Sequence, residues 1–319
     1  MGSLFGRDLI TTQDWSVDEL TQTIDLARKL KLARRQGKEM PKFLERKNFF
    51  MLFYASSTRT RGAFEAGTAL LGGHAPYIDV STTRIKAGEA VKDIAKMYDI
   101  YGDGIGVRVL DDAIDFVYGE GRKIIEQIAE VAKVPVINMA DCTYHPTQAI
   151  GDIMTVKNKV GAANIEGKKF VVMWGYSSRL RGTCSINAEA LIATRLGMDV
   201  VLAHPPGFDL DKTIIEACGK YAKESGGDFE ISHDFEEALS GANVVFPRSW
   251  VTSELSRVGA TAFGVDREIQ IHNKYRDWML KQEHVDDLMG NPAIVTHVLP
   301  VFRGEEATDE VMDGPNSVI

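Results

Sequence analysis

Phe50-Met51-Leu52-Phe53-Tyr54-Ala55-Ser56-Ser57-Thr58-Arg59-Thr60-Arg61 is the stretch on which the fold turns. Its first half is a continuous apolar run, the pattern of a strand buried on both faces. Its second half is small hydroxyl residues and two arginines. Ala63, Phe64, Ala66, Gly67, Ala69, Leu70 and Leu71 then follow at helical spacing. A strand that turns through Ser and Thr into a helix leaves backbone N–H groups unpaired at the helix start. Those groups, the helix dipole and the neighbouring guanidinium groups make a place for an anion. Ser57, Thr58 and Thr60 add hydroxyl donors. The stretch reads as a phosphate cradle. Taken alone, it reads equally well as a serine helix cap beside two solvated arginines.

Strand and helix patterns alternate on either side. Upstream, Ser16 and Glu19 form a capping box, and Leu20, Ile24, Ala27 and Leu30 give the apolar face of a helix. Downstream, strands are predicted over 75–80, 104–109 and 135–139, with helices over 90–101, 121–132 and 149–160. The polar segment Ser81–Gly88, with Arg84 and Lys86, reads as a flexible loop. A second series places strands over 169–174, 198–203, 229–231, 243–246 and 293–297, and helices over 184–196, 211–225 and 235–239. Residues 255–274 show no clear period and read as a surface excursion.

This alternation predicts an α/β protein of two doubly wound parallel-sheet domains of similar architecture. The domains span residues 1–150 and 151–305, and 306–319 form a C-terminal segment returning toward the first domain. Ligands of such sheets bind beyond the carboxyl ends of the strands. Ser57, Arg108 and His145 all fall at such ends.

Acidic residues outnumber basic ones, 45 to 37, for a net charge of −8. No basic stripe points to nucleic acid. Three widely separated cysteines fit free thiols in a reducing compartment. Cys142 and His145 lack a second ligand pair, so no metal is expected. No apolar run is long enough to span a bilayer, so no membrane partner is expected and a cytoplasmic location is. Gly102, Gly104 and Gly106 have the wrong spacing for a dinucleotide-binding loop, which weighs against a dehydrogenase.

Four motifs occur in order: S-T-R-T-R at Ser57–Arg61, the strand-terminal Arg108, H-P-T-Q at His145–Gln148 and H-V-L-P at His297–Pro300. With the G-R-D-L opening at Gly6–Leu9 and S-V-D-E-L at Ser16–Leu20, they resemble the aspartate/ornithine carbamoyltransferase family over nearly the whole chain. The resemblance implies an enzyme that moves the carbamoyl group of carbamoyl phosphate to the amine of an amino acid or related acceptor, releasing phosphate. It implies that Ser57, Thr60 and Arg59 hold the phosphate, and that Thr58, Arg108 and His145 stabilise the carbonyl oxygen as it gains charge. Gln148 and the Leu299 carbonyl would accept from the carbamoyl NH2, with His297 in the same substrate-binding set. The leaving phosphate can take the amine proton, so no cofactor is expected. The resemblance also implies a homotrimer or a multiple of trimers. Lys86 and its loop would then reach a neighbour's site. A final helix beyond Ser317-Val318-Ile319 is expected as well.

The acceptor follows from departures from the pattern. Ornithine enzymes carry D-x-x-x-S-M-G, but here the segment reads Phe246-Pro247-Arg248-Ser249-Trp250-Val251-Thr252-Ser253. Arg248 stands in the aspartate's place, and an Asn-rich turn is replaced by Trp174-Gly175-Tyr176-Ser177-Ser178-Arg179. Arg248-Ser249-Trp250 and His204-Pro205-Pro206-Gly207-Phe208 resemble the acylornithine and less-characterised branches. The expected acceptor is a small amine with an acidic or acylated group facing Arg248 beside Trp250. An ornithine enzyme of atypical sequence and a catalytically silent regulatory member remain as alternatives.

Overall fold

The structure, a computed structural model, describes residues 4–160 and 165–319. It divides into two compact units, Met1–Thr147 and Gln148–Ile319. The first contains α1 (Val17–Arg35), β1 (Phe49–Phe53), α2 (Arg59–Leu70), β2 (Tyr77–Asp79), α3 (Val91–Tyr101), β3 (Gly104–Val109), α4 (Glu120–Ala129) and β4 (Val136–Asp141). The division falls inside α5 (Pro146–Val160).

All strand pairings in the first sheet are parallel, in the order β2-β1-β3-β4. The apolar run of β1 serves both faces of this sheet. Leu52 packs with Ile105, Val107, Val109 and Val136 against Ile94, Tyr98, Ile125 and Ile128 of the helices. Met51 and Phe53 face the other way, with Met139, Phe49 and Phe64. Each such fully buried side chain contributes about 1.5–3 kcal/mol. The glycines of β3 are explained by packing. A Cβ on Gly106 would stand 2.8 Å from both Met139 and the Phe49 ring, and one on Gly104 would stand 2.9 Å from that ring.

The capping box of α1 forms as expected. Ser16 Oγ accepts from the Glu19 N–H at 3.2 Å, and Glu19 accepts from the Ser16 N–H at 2.8 Å. The Ser81–Gly88 segment differs from its reading as a flexible loop. It forms two short 3-10 turns, Val80–Thr82 and Arg84–Ala87. Asp79 caps the first through the Ser81 N–H, and Thr83 caps the second through the Ile85 N–H. Gly88, at φ 94°, ends the second in the left-handed region that glycine enters without strain.

The second unit contains β5 (Lys169–Trp174), α6 (Cys184–Arg195), β6 (Asp199–Ala203), α7 (Lys212–Ser225), β7 (Phe229–Ser232), α8 (Phe235–Leu239), β8 (Val244–Arg248), α9 (Ser253–Val258), α10 (Ala260–Phe263), α11 (Val265–His272), α12 (Gln282–Asp287), β9 (Ile294–Val295) and α13 (Asp309–Asp313). Its parallel sheet runs β7-β6-β5-β8-β9. Pro247 is tolerated within β8 because β9 pairs only with Val244 and Val245.

One expectation is corrected here. Residues 255–274 are not a surface excursion: α9, α10 and α11 bury Leu255, Phe263, Glu268 and His272. The short helices show no readable period because each is under three turns and is fixed by tertiary bonds. Glu268 accepts from the Thr252 N–H and hydroxyl and faces His272 Nε2 at 3.2 Å. Residues 306–319 belong to the second unit. Val318 N–H donates to the Val295 carbonyl, and Leu280 bridges to Ala307.

Candidate active site

Three adjacent strands of the first sheet end at the predicted cradle. Phe53 lies level with Arg108 in the β1–β3 register, and the Tyr54 N–H donates to the Arg108 carbonyl at 3.0 Å. The Arg108 side chain turns back over the β1–α2 loop and donates to the Ser56 carbonyl at 3.0 Å. The structure therefore brings Arg108 to the Ser56–Thr58 turn, although the two are fifty-two residues apart.

α2 starts at Arg59. Its N-cap, Thr58, is in the right-handed helical region and makes no side-chain cap bond. The reading as a capped helix start is thus not what forms. The first turn holds no acid, and Arg59 and Arg61 sit where the helix dipole is positive. Each cation there is unfavourable by about 0.3–1 kcal/mol unless an anion joins it. Arg61 is paired with Glu65 at 2.9 Å and lies 4.0 Å over the Tyr77 ring. Ser57 and Thr60 are half-buried, while Thr58 and Arg59 are exposed.

His145 follows β4 and is positioned by a buried acid that the sequence reading missed. Asp141 accepts from the Thr143 and Tyr144 N–H groups at 2.5 and 2.6 Å, and from Asn138 Nδ2 at 2.9 Å. Burial lifts its carboxyl to about 6 despite these bonds and the Arg122 charge. The folded turn presents His145, with Thr147 Oγ1 at 3.4 Å from Nδ1. Burial, reinforced by the Arg108 cation, drives the His145 pKa down to about 3. Its ring is therefore neutral at physiological pH. A neutral imidazole carries one N–H, which it can donate.

Lys86 is exposed on its 3-10 turn. With Arg84, Thr83, Met97 and Tyr98 it lines an open cavity of about 720 Å³ in the first unit.

In the second unit, Gln148 Nε2 donates to both Asp152 oxygens at 2.9 Å. The amide oxygen remains as an acceptor. His297 is buried, and its Nδ1 accepts from the Leu299 N–H at 2.8 Å. That bond fixes Leu299 at φ 54°, a conformation rare outside glycine. The sequence read both residues as substrate-binding, and the structure ties them into one turn.

Arg248 and Trp250 differ from expectation. Arg248 is 7% exposed and paired with the buried Glu306 at 3.1 Å, and it also donates to the Pro300 carbonyl. Glu306 further accepts from the Ser249 and Phe302 N–H groups. Burial opposes ionisation of Glu306, but the Arg248 charge, then His297 and the Ser249 N–H, bring it down to about 2. The Arg248 charge is thus balanced within its own unit, and it does not stand open to an acceptor carboxylate. Trp250 is fully buried, with its indole N–H donated to the Phe208 carbonyl at 2.8 Å. It is a core residue. The F-P-R-S-W segment reads as facing the acceptor, and nothing in it announces Glu306, fifty-eight residues away.

Two further arginines, Arg179 and Arg181, follow the Ser177–Ser178 turn. Arg179 is exposed and Arg181 half-buried, and their guanidinium carbons lie 4.6 and 4.7 Å from the Phe302 ring centre. Ser177 and Ser178 anchor the turn by donating three hydrogen bonds of 2.7–2.9 Å to Glu305.

The first sheet thus ends in an arginine-flanked, uncapped helix start, the arrangement of an anion site in a parallel α/β fold. Residues 7–158 match the aspartate/ornithine carbamoyltransferase carbamoyl-P binding domain, and residues 181–319 match the Asp/Orn binding domain of the same family. An ornithine carbamoyltransferase of Pyrococcus abyssi is 35% identical over 99% of this chain and 91% of its own length. An N-acetylornithine carbamoyltransferase of Xylella fastidiosa is 33% identical over 98% and 93%. The crystal structure of an acetylornithine transcarbamylase complexed with acetylcitrulline superposes with a TM-score of 0.87 at 30% identity, covering 98% of this chain and 93% of that one. The chain belongs to the aspartate/ornithine carbamoyltransferase family and is an enzyme of carbamoyl transfer.

Proposed function

We propose that this enzyme transfers the carbamoyl group of carbamoyl phosphate to an amine whose acidic group is read by Arg179 and Arg181. The observation that carries the donor half is the uncapped start of α2, with arginines at its positive end. Its N–H groups, Ser57, Thr60 and Arg59 hold the phosphate dianion. Thr58, Arg108 and the neutral His145 donate to the carbonyl oxygen as the amine attacks and that oxygen gains charge. The Gln148 amide oxygen and the Leu299 carbonyl accept from the carbamoyl NH2. The C–O bond to phosphate then breaks, and the phosphate takes the amine proton.

For the acceptor, the relatives' names divide between ornithine and N-acetylornithine at similar identity. The side chains favour an acidic group. Arg248 is paired with Glu306, and the exposed Arg179 lies with Arg181 over the Phe302 ring. A carboxylate there gains a charge-assisted pair, and an ammonium meets like charge. Arg179→Glu is expected to lower kcat/KM for an acidic amine by about tenfold or more, with the KM for carbamoyl phosphate unchanged. An unaltered acceptor constant in steady-state kinetics would remove Arg179 from the acceptor site.

We also propose a cytoplasmic homotrimer in which Lys86 serves a neighbouring subunit. α2 supports assembly, because it leaves Ala63, Ala66, Ala69 and Leu70 exposed. No helix among the described residues is long and apolar enough to cross a membrane. Light scattering should return three times the 35.2 kDa chain mass. A single-chain mass at micromolar concentration would contradict the trimer.

A further inference from the structure

Glu189 lies in the middle of α6, with none of its surface exposed. Its helix neighbours Ile186, Ala188, Ala190, Leu191 and Ile192 are equally buried. An isolated carboxylate in such a place is strongly unfavourable. Neither Glu189 oxygen finds a hydrogen-bond donor among the described residues. The group they face is another acid, the buried carboxyl of Asp152 on α5. Asp152 has other partners: Gln148 Nε2 on both oxygens at 2.9 Å, and Thr296. No cation faces either carboxyl among the described residues. Two buried carboxylates in contact cannot both ionise, and one proton between them satisfies both.

We propose that Glu189 is a positioning residue: it carries the single proton of a shared pair with Asp152, so that Asp152 remains a carboxylate, holds Gln148 Nε2, and leaves Gln148 Oε1 to accept from the carbamoyl NH2. The shared proton stands on the side chains alone, and only the last step rests on the carbamoyl-transfer reading. Burial first, then the Asp152 charge, pushes the Glu189 pKa well above its ordinary value, and burial raises that of Asp152. A folded-state value above the unfolded one means that stability is complete at low pH. It is lost as pH rises through the pair's second ionisation.

The test compares Glu189→Gln and Glu189→Leu with the unaltered protein. An amide at 189 still donates to Asp152 but has no proton to lose. Thermal unfolding from pH 6 to 10 should show an alkaline loss in the unaltered protein that Glu189→Gln removes. At pH 7, Glu189→Leu should lower kcat/KM for carbamoyl phosphate about tenfold, the equivalent of one well-placed hydrogen bond, and Glu189→Gln should restore it to within about twofold. An alkaline loss that persists in Glu189→Gln, or full activity in Glu189→Leu, overturns the proposal. If the leucine variant does not fold, the glutamine unfolding profile decides. Absence of carbamoyl transfer in the unaltered protein would count against the functional reading, and the unfolding profiles would still decide the pair.

Discussion

Arg108→Ala is expected to lower kcat/KM for carbamoyl phosphate by roughly 10²–10³-fold, the usual effect of removing one preorganised donor from a developing oxyanion. The side chain has two tasks. Its guanidinium donates to the Ser56 carbonyl and so braces the turn that leads into α2. Its charge also stands beside His145, where it helps keep that ring neutral. Losing Arg108 therefore removes a donor and loosens the cradle together. Arg108→Lys should recover little, because an ammonium cannot reproduce the planar fork that reaches carbonyl and ligand at once. The fold should survive, since β3 is held by its ladder and by Val107 and Val109. Steady-state kinetics with a thermal melt on the same sample checks both halves. Near-normal kcat/KM in a folded Arg108→Ala protein would place the oxyanion elsewhere.

The second large effect is on stability. Glu306→Ala should destabilise the second unit by about 3–5 kcal/mol, because it leaves Arg248 buried without a counter-ion. It also strips acceptors from the Ser249 and Phe302 N–H groups. Replacing both partners, as in Arg248→Met with Glu306→Leu, should recover the part of the loss due to the stranded charge, leaving only the cost of the unpaired N–H groups. The pair predicts a pH dependence as well. The folded-state pKa of Glu306, about 2, is below its unfolded value of 4.5. Its contribution, about 3 kcal/mol, is therefore present above pH 4.5 and lost as pH falls toward 2. Urea unfolding between pH 7 and 3 should show that loss, and Glu306→Ala should lack it. A variant as stable as the parent would mean that Arg248 finds another partner.

Much of the first unit was legible because its signals are local. The apolar run of β1, the hydroxyls and arginines after it, and the strand-terminal Arg108 lie within a few residues of the structure they specify. The sheet order then joins them, since β1, β3 and β4 are neighbours. The second unit was legible as alternating elements but not as chemistry. Arg248 looked like an open cation, because a sequence shows the charge and not the carboxylate that folds onto it. Trp250 looked like a recognition residue, because an aromatic after a strand reads the same in a core as in a pocket. Glu189 and Asp152 sit in helices whose periodicity gives no hint that two acids meet. The two caps of the Ser81–Gly88 segment were present as Asp79 and Thr83, but its polarity suggested mobility instead.

Carbamoyl transfer itself is tested most directly by incubating the purified protein with carbamoyl phosphate and a panel of amino acids, acylated diamines and simple amines, and following phosphate and carbamoylated product together. The expected result is phosphate release that depends on an amine, matches product one for one, and is fastest with an amine bearing an acidic group. Phosphate release no faster with any amine than without, and no carbamoylated product, would contradict it.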